Sequence, residues 1–514
     1  MDDELKREIE RLREKKAVAS LGGGVSRIEA QHASGRLTAR ERVEHLLDPN
    51  SFTELDMLGA IGEDREKNIF GDGIVVGYGK IDGRRVCIFS QDYTVHSGST
   101  GQMHRHKMCT ISEKAMDIGI PLIGLWDSAG GRLQTESYPT PGYTSLFTRF
   151  TNASGIIPQI SAVLGPAVGN GGYGVALTDF IFMVDEKSYA FATGPWAVKE
   201  VLGEGISMEE LGGAKVHCQL SGLADLRVKT EDECFAKIRT LLSYLPSNNK
   251  QAPLRFPNND NRERTNEEFG EIVPSDSRKV YNMRQVITHL LDNGEFFEIK
   301  PEFAREAIVG FGRLDGYSVG IIANQPLFMA GALTIDASDK QARFIRFCDC
   351  FNIPLIFLVD TTGYLPGRNQ EHGGILRHGA KVLFAVVEAV VPKVAVLIRK
   401  VYGGAKPAMA IDKDMDVDHI YAWPIAEGSI MGAEATVEVL FRKEIAKAEN
   451  PEEFKRQKVE EFKEASRIYS FAYPGVINDI IEPRETRQAL ILTLESLRGK
   501  EEIRRPKRHG NIPL

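Results

Sequence analysis

Short apolar runs alternate with amphipathic stretches along the chain, and a polar turn closes most of these runs. Residues 121–126 and 354–359 predict buried strands, and each run is followed by an aspartate and a turn that contains glycine. The stretches 107–117 and 340–351 space their apolar residues as a helix does. Ser338 precedes the second stretch and is its predicted N-cap.

A glycine-bounded hairpin precedes each of these strand and helix pairs. Residues 79–83 and 312–316 are the two predicted turns, and each leads into an apolar strand that ends near Gln91 or Asn324. Strands and helices that alternate at this spacing predict the α/β fold class. In such folds the loops that follow strand ends carry function, so we expect the chemistry there.

The chain also repeats itself. Four segments of the first half return in the same order in the second, at offsets of 244, 233, 233 and 234 residues: HLLDPNSFTE and HLLDNGEFFE, VGYGKIDG and VGFGRLDG, IPLIGLWDSAG and IPLIFLVDTTG, IIPQISAVLGPAVG and VVPKVAVLIRKVYG. A period this long excludes a solenoid, whose repeats span about 20–50 residues. We expect two homologous domains, residues 1–255 and 270–514, with a polar linker within 251–276.

Composition narrows the class of protein. The chain has 514 residues, of which 42% are hydrophobic and 26% are charged, and this mixture is typical of a globular protein. It excludes a disordered chain and a collagen-like fibre. The net charge of −7 argues against nucleic acid as a partner, because proteins that bind nucleic acid present a basic surface.

No stretch of the sequence predicts export or a membrane anchor. The N-terminal stretch MDDELKREIERLREKK lacks the apolar core of a signal peptide. The most apolar run, residues 384–398, is shorter than the about 20 residues of a bilayer span and includes Glu388 and Lys393. The six cysteines lack CxxC spacing, which favours buried thiols in a reducing compartment. We therefore predict a cytoplasmic location.

Common catalytic motifs are missing from the sequence. It has no GxSxG nucleophile elbow, no GxxxxGK[ST] phosphate loop and no HExxH zinc pair, and Ser128 lies outside the frame of a serine hydrolase. We therefore expect neither a nucleophilic serine of that type nor a metal site.

Glycine-rich turns occupy two places that the repeat makes equivalent. Gly169 is followed by Asn170, and Gly403 is followed by Gly404 and Ala405. Each turn follows an apolar strand and opens a predicted helix, where free backbone N–H groups can bind an oxygen that becomes negative in a transition state. A single turn of this kind is more often a packing feature, but two at equivalent positions favour a pair of oxyanion holes.

Two oxyanion holes without an obvious nucleophile suggest enolate chemistry. One hole would hold the enolate oxygen of a thioester, and the other would polarise a second carbonyl group. A side-chain base is not required, because the second reactant can take the proton itself.

Long strings in both halves carry a family resemblance that spans about residues 27–514. They include RIEAQHASGRLTARERV, FSQDYTVHSGSTG, GIIPQISAVLGP, EELGGAKVH, GGILRHGAK, RKVYGGA, AWPIAEGSIMGAEATVEV and KRHGNIPL. In these strings the sequence resembles the carboxyltransferase subunits of biotin-dependent acyl-CoA carboxylases, of the propionyl-CoA carboxylase β-subunit and methylmalonyl-CoA decarboxylase α-subunit type.

The resemblance implies a fold, an assembly and a reaction. The fold would be two duplicated crotonase-type (ClpP/crotonase, spiral ββα) domains, with acyl-CoA on the first and biotin on the second. Six chains would form a homohexamer, a dimer of trimers, with the active site between domains of different chains. The reaction would move a carboxyl group between carboxybiotin and the α-carbon of an acyl-CoA, and propionyl-CoA and methylmalonyl-CoA are the first candidates.

The resemblance also assigns the site residues. Gly169 and Asn170 would bind the thioester carbonyl oxygen, and Gly404 and Ala405 the ureido oxygen of biotin. The residues expected to bind substrate are Ser128, Ala129, Gly130, Arg132, Gly403 and Pro407. Arg132 would meet a phosphate of coenzyme A, with a solvated surface arginine as the alternative.

Biotin would arrive on another protein. The sequence has no biotinyl acceptor of the Met-Lys-Met kind, so we expect a biotin carboxyl carrier and a biotin carboxylase as partners, or the membrane subunit of a sodium-pumping decarboxylase. Three other interpretations stay open: a biotin-independent crotonase-type acyl-CoA decarboxylase, a hydratase of that fold, and a non-catalytic subunit that senses coenzyme A.

Four positions depart from the family pattern. Asn170 stands where glycine is common, and Pro407 stands where an acidic residue is common in the propionyl type, which puts propionyl-CoA in doubt. Trp126 and Trp196 are unusual near the acyl-CoA domain and indicate either a wider apolar pocket or core packing.

Overall fold

The chain folds as two compact units, Met1–Gln251 and Ala252–Leu514. The computed structural model describes residues 2–132, 143–502 and 504–513.

The first unit is a sheet with helices packed against it. Its strands are β1 (Thr53–Leu55), β2 (Ile74–Ile81), β3 (Arg84–Gln91), β4 (Leu122–Ser128), β5 (Gln159–Val168), β6 (Phe180–Val184), β7 (Tyr189–Phe191) and β8 (Leu226–Val228). Its helices are α1 (Asp3–Ser20), α2 (Val25–Ala33), α3 (Ala39–Leu46), α4 (Glu63–Glu66), α5 (Gln102–Ile118), α6 (Tyr143–Ala153), α7 (Asn170–Ala176), α8 (Pro195–Leu202), α9 (Met208–Gly212), α10 (Ala214–Gln219) and α11 (Glu231–Tyr244).

The sheet of the first unit follows the order β1-β2-β3-β4-β5-β6-β8, with β7 paired to the far end of β5. Strands β1 to β3 are antiparallel, and from β3 onward the neighbours are parallel. All seven residues of β4 are buried, as expected for a parallel strand covered on both faces. The carboxyl ends of β4 and β5 therefore meet at one edge of the sheet.

The hairpin between β2 and β3 shows how a local sequence sets the register. Asp82 and Gly83 have φ angles of 48° and 79°, the left-handed values that a tight two-residue turn requires. The Asp48 carboxylate accepts hydrogen bonds from both of their N–H groups, at 2.9 and 2.8 Å. In the second unit Asp292 accepts the corresponding bonds from Asp315 and Gly316, at 3.1 and 2.7 Å.

The second unit repeats the same layers. Its strands are β9 (Phe297–Ile299), β10 (Ala307–Leu314), β11 (Tyr317–Asn324), β12 (Leu355–Thr361), β13 (Lys393–Tyr402), β14 (His419–Ala422), β15 (Glu427–Ser429) and β16 (Asp479–Ile480). Its helices are α12 (Phe269–Ile272), α13 (Met283–Leu290), α14 (Ile335–Cys350), α15 (Arg368–Gly373), α16 (Ile375–Glu388), α17 (Ala405–Ala408), α18 (Ala433–Leu440), α19 (Arg442–Ile445), α20 (Pro451–Ala465), α21 (Tyr469–Ala472) and α22 (Thr486–Ser496).

The strand order β16-β14-β13-β12-β11-β10-β9, with β15 paired to β13, matches that of the first unit. The α/β fold class and the repeat are thus confirmed. The strands that were predicted to end near Gln91 and Asn324 end at those residues.

One expectation from the sequence is wrong. Ser338 is not the N-cap of α14: Thr334 is the cap and accepts a bond from the N–H of Ala337 at 3.0 Å, while Ser338 lies one turn inside the helix and donates to the Thr334 carbonyl. The segment 251–276 is also more than a polar linker. Phe269 in α12 is fully buried in the core of the second unit, because a single aromatic residue can anchor an otherwise polar stretch.

Candidate active site

The loop after β4 brings three predicted residues to the carboxyl edge of the first sheet. The Ser128 hydroxyl accepts a bond from the Gly130 N–H at 3.1 Å, which closes the turn. Gly130 has a φ of 105°, a value that side-chain-bearing residues rarely adopt. The Ala129 N–H donates to the Ser97 carbonyl at 3.0 Å, so the loop that follows β3 supports the turn.

The first glycine turn lies beside this loop, between β5 and α7. Gly169 has a φ of 61°, and its N–H donates to the Phe191 carbonyl of β7 at 2.9 Å. Asn170 is the first residue of α7, where backbone N–H groups have no partner within the helix. A Cβ atom added at Gly130 would lie 3.4 Å from the Val168 carbonyl oxygen, so the two turns are neighbours at one sheet edge.

The second glycine turn has the same construction, between β13 and α17. Gly403 has a φ of 55°, and its N–H donates to the Ser429 carbonyl of β15 at 3.0 Å. Gly404 follows with φ −65° and ψ −10°, and Ala405, which is fully buried, begins α17. Each predicted turn therefore follows an apolar strand and opens a helix, as the sequence indicated.

Pro407 lies in the first turn of α17, where a residue without an N–H group is tolerated. Its carbonyl accepts a bond from the N–H of Ala410 at 3.2 Å. The neighbouring Lys406 places its ammonium group 5.0 Å from the ring centre of Phe471, a cation–π contact that directs the charge toward that ring.

Arg132 has a different environment from the one expected. Its side chain is buried, donates to the Ser99 carbonyl at 2.8 Å and pairs with the Asp72 carboxylate at 2.6 Å. A solvated surface position is therefore wrong. The contact with a coenzyme A phosphate stays a prediction, and in this structure the Asp72 carboxylate binds the guanidinium group.

A buried aspartate lies at the end of each central strand, and sequence reasoning gave it no role. The Asp127 N–H donates to the Gln91 side chain at 3.1 Å, and the Asp360 N–H donates to the Asn324 side chain at 3.2 Å. Both aspartates are fully buried. These residues precede the loops that carry Ser128 and its counterpart Thr361, so they fix where each loop starts. The only sequence signal was the aspartate that follows each apolar run.

Different cations neutralise the two aspartates. Asp127 pairs with Arg36 and Arg42, each at 2.9 Å. Asp360 pairs with Arg399 at 3.0 Å, and the Lys400 ammonium group lies 3.9 Å away. A buried carboxylate requires such a partner, because an isolated charge is costly in a low-dielectric interior.

A buried lysine links each long helix to its sheet. Lys107 in α5 donates to the Ile74 carbonyl at 2.7 Å, and Lys340 in α14 donates to the Ala307 carbonyl at 2.7 Å. Burial lowers the pKa of Lys107 to about 8 and the pKa of Lys340 to about 7. Main-chain carbonyl groups bind both ammonium groups between the helix and the sheet, so both lysines serve the structure.

His104 also has a structural role. Its ring is fully buried, with Nδ1 3.0 Å from the Asp72 carbonyl oxygen and Nε2 3.3 Å from the Gln91 amide nitrogen. Burial lowers its pKa to about 4, so the ring is neutral at pH 7.

The two unusual tryptophans have opposite environments. Trp126 is buried in the first core, where its indole N–H donates to Ser161 at 2.9 Å and Phe89 contacts it edge-on. It therefore packs the core. Trp196 in α8 is 79% exposed, so core packing does not explain it.

Within residues 2–132, 143–502 and 504–513, no group of three or more His, Cys, Asp or Glu side chains is placed to hold a metal ion. No helix in the described part of the chain has the length and apolar character needed to cross a membrane.

The duplicated sheets and their paired glycine turns define an α/β enzyme built from two copies of one domain. Residues 30–512 match the carboxyl transferase domain family. The chain belongs to this family, and the duplicated fold is the crotonase-like one that the resemblance implied.

Known proteins are similar to this chain over almost its whole length. The carboxyltransferase subunit of propionyl-CoA carboxylase from Haloferax mediterranei is 47% identical over 511 residues, which cover 98% of this chain and 99% of the relative. The methylmalonyl-CoA decarboxylase subunit alpha of Veillonella parvula is 47% identical with the same coverage. The crystal structure of transcarboxylase 12S, a hexamer with methylmalonyl-coenzyme A bound, is 42% identical with a TM-score of 0.94 and covers 98% of both chains. This chain is accordingly an acyl-CoA carboxyltransferase.

Proposed function

We propose that this protein is the carboxyltransferase component of a biotin-dependent acyl-CoA carboxylase or decarboxylase. Its substrates would be short acyl-CoA thioesters and their α-carboxylated products, with propionyl-CoA and methylmalonyl-CoA as the first pair to test. The relatives named above act on these thioesters in both directions, so the partner subunits decide the direction.

The paired glycine turns carry this proposal. Each presents backbone N–H groups at the start of a helix, beyond a glycine with a left-handed φ. Amide donors that are fixed before the reaction stabilise a developing negative charge without reorganising. Asn170 would bind the thioester oxygen through its N–H as the α-carbon loses its proton, whereas the Gly169 N–H is donated to the Phe191 carbonyl, so Gly169 would shape the turn. Gly404 and Ala405 would polarise the ureido oxygen of biotin.

The donor set fits a neutral ureido group. At the second turn the donors are main-chain amides, and the adjacent cation Lys406 is directed toward the Phe471 ring. Carboxybiotin, when bound, supplies the carboxyl group as CO₂ and a ureido nitrogen that accepts the α-proton. The chain itself would orient the two reactants, hold both oxygens and keep water away. Ser128, Ala129 and Gly130 would line the thioester side and Gly403 the biotin side, and Pro407 would bear on the choice of acyl group.

The assembly and location follow the same proposal. We expect a homohexamer, a dimer of trimers, as in the transcarboxylase 12S structure. Biotin would be attached to a separate carrier protein, loaded by a biotin carboxylase or unloaded by a membrane decarboxylase subunit. The protein would work in the cytoplasm, where these partners and acyl-CoA thioesters meet.

A direct assay tests the function. Purified protein is mixed with free carboxybiotin and propionyl-CoA, and methylmalonyl-CoA is measured by mass spectrometry. Product should form in proportion to the enzyme. If no thioester in a panel of short, branched and aromatic acyl-CoA esters is carboxylated, the proposal is wrong.

A matched pair of variants tests the oxyanion role. Gly404 already has a φ of −65°, which suits proline, so Gly404→Pro removes one N–H group with little strain. Gly404→Ala keeps that N–H, and its added Cβ would meet the Tyr364 ring at an ordinary 3.5 Å. Transfer should be lost in the first variant and retained in the second, while both stay oligomeric. Equal activity in the two would refute the donor role.

A further inference from the structure

A tyrosine ring lies between the second glycine turn and helix α16. Tyr364 follows Gly363 in the turn after β12, and its side chain is half-buried. A Cβ atom added at Gly404 would lie 3.5 Å from Cδ2 and 3.5 Å from Cε2 of this ring. A Cβ atom added at Gly379, inside α16, would lie 2.9 Å from Cε1 and 3.0 Å from Cζ. Opposite edges of one ring therefore face the two glycines.

Both ends of the Tyr364 side chain are fixed. The Leu333 N–H donates to the Gly363 carbonyl at 2.9 Å, and the Leu365 N–H donates to the Leu333 carbonyl at 2.9 Å. These two bonds hold the main chain on either side of Tyr364. At the other end the hydroxyl group donates to the Gly379 carbonyl at 3.3 Å. Burial raises the pKa of the Tyr364 hydroxyl to about 12, so it keeps its proton and stays a donor at pH 7.

Helix α16 is itself fixed behind the ring. His378 Nδ1 and the Lys381 ammonium group each lie 2.8 Å from the Asp339 carboxylate of α14. Gly379 follows His378 in the sequence and is buried. Alanine is the better helix former, but its Cβ at this position would be closer to the ring than the about 3.5–4.0 Å at which carbon atoms pack best. The glycine therefore leaves the ring room between the helix and the turn.

The equivalent position of the first unit carries no side chain. Position 131 corresponds to position 364 at the repeat offset of 233, and it is a glycine. The structure agrees with this alignment, because Gly131 forms a parallel bridge with Thr100 and Tyr364 forms one with Leu333. The ring is thus a feature that separates the second glycine turn from the first.

We infer that Tyr364 is a positioning residue for the second glycine turn, and that its ring holds the Gly404 N–H in the orientation that the ureido oxygen requires. The inference rests on the proposed function and adds the residue that fixes one of its donors. Gly404 is exposed and has no side chain to pack, so its own conformational freedom is large. An amide donor stabilises a developing charge best when it need not reorganise during the reaction.

Two substitutions at Tyr364 separate the ring from the hydroxyl group. Transfer from free carboxybiotin to propionyl-CoA is measured with each reactant varied in turn. Tyr364→Leu shortens the side chain to its δ carbons and should lower kcat about tenfold or more, with both KM values nearly unchanged, because the donor acts in the transition state. Tyr364→Phe keeps the ring and should retain most of kcat. Full kcat in Tyr364→Leu, or an equal loss in Tyr364→Phe, would overturn the inference.

Gly379 allows a test from the other edge of the ring. Gly379→Ala should push the ring toward Gly404 and lower kcat about fivefold or more. In the Tyr364→Leu background the same change should cause no further loss, because the ring atoms that the new Cβ meets are absent. Gly270→Ala is the matched control: Gly270 is exposed in α12 with open space at its Cβ position, so kcat should not change. Independent losses that multiply in the double variant would refute the coupling.

The unaltered protein separates this inference from the proposed function. If it transfers no carboxyl group to any ester of the panel, the proposed function is wrong and the positioning role falls with it. If it transfers normally and the Tyr364→Leu and Gly379→Ala variants do so equally well, the function stands and the positioning role is wrong. Circular dichroism and the oligomeric state show that each variant is folded. Should Gly379→Ala fail to fold, the two Tyr364 variants decide.

Discussion

The two units build the same turn over different ion pairs. In the first unit the cations that neutralise Asp127 come from Arg42 in α3 and from Arg36 just before it. In the second unit the cation for Asp360 is Arg399, on the neighbouring strand β13.

Gly165 occupies the position equivalent to Arg399. A Cβ there would lie 2.0 Å from an Asp127 carboxylate oxygen and 2.8 Å from Arg36, so a side chain cannot fit. The aspartate is therefore the part that both copies retain, and the source of its counter-charge differs. A buried carboxylate needs a cation nearby, but physical chemistry does not prescribe which segment supplies it.

The largest effects on the transfer rate are expected from variants that remove an N–H group from only one of the two glycine turns. If Asn170 serves the thioester and Gly404 serves biotin, Asn170→Pro should slow transfer by about 10²–10³-fold and leave the release of CO₂ from carboxybiotin without acyl-CoA unchanged. Gly404→Pro should slow both reactions. Transfer kinetics and CO₂ release are measured side by side, with Asn170→Ala and Gly404→Ala as controls. Loss of CO₂ release in both proline variants would show that the two turns do not serve separate reactants. Loss in the Asn170→Pro variant alone would show that their roles are reversed.

The next effect concerns the buried ion pairs. Arg399→Met leaves Asp360 with only Lys400, at 3.9 Å, and should destabilise the second unit by ~3–5 kcal/mol. Arg36→Met should cost only about 1 kcal/mol, because Asp127 keeps Arg42. Hydrogen exchange followed by mass spectrometry reports the opening free energy of β4 and β12 separately. Equal losses in the two variants would show that the pairs are equivalent after all.

Acid should weaken the first unit more than the second. His104 has a pKa of about 4 when folded, and the value for a free histidine is about 6.5. The unfolded chain therefore binds the extra proton first, and stability falls by about 3 kcal/mol as the pH drops from 6.5 to 4. Ala337 occupies the equivalent position of the second unit and cannot titrate.

Calorimetry across this pH range, with hydrogen exchange to assign each transition, measures that loss. His104→Gln should flatten the pH dependence of the first unit and leave the second unit as it was. An unchanged slope in the variant would assign the acid sensitivity to other groups.

The smallest effect lies at the start of the two long helices. Thr334 caps α14, whereas Gly101 precedes α5 without a side-chain cap, and Asp72 accepts a bond from the His104 N–H at 2.7 Å instead. Thr334→Ala should lower the free energy of unfolding of the second unit by about 1 kcal/mol. Serine at position 334 should restore most of it, as measured by thermal unfolding. A loss that Thr334→Ser does not recover would point to packing instead of capping.

Local sequence patterns predicted most of the strands and turns discussed above. The strands at 121–126 and 354–359, the hairpin turns and the glycine turns all follow from residues close together in sequence, and the repeat supplied each prediction twice. The N-cap of α14 was misplaced because Thr334 and Ser338 are both good caps, and only the geometry of the preceding turn decides between them.

Contacts between distant residues could not be predicted in this way. Arg42 and Asp127 are 85 residues apart, and no periodicity indicates that they meet. The same holds for Arg132, for which the sequence offered a coenzyme A phosphate or solvent as partner and which the fold buries against Asp72. Trp126 and Trp196 carry the same apolar signal, and only their positions relative to the core separate them.

The space left at Gly165 limits how the two halves can exchange parts. A recombinant that receives β13 in place of β5 would bring Arg399 into a position already filled by Arg36 and Asp127. The segment that contains α2 and α3 would have to be replaced with it, because that segment supplies the competing guanidinium groups. In any exchange between the halves, the strand and that segment therefore act as one module.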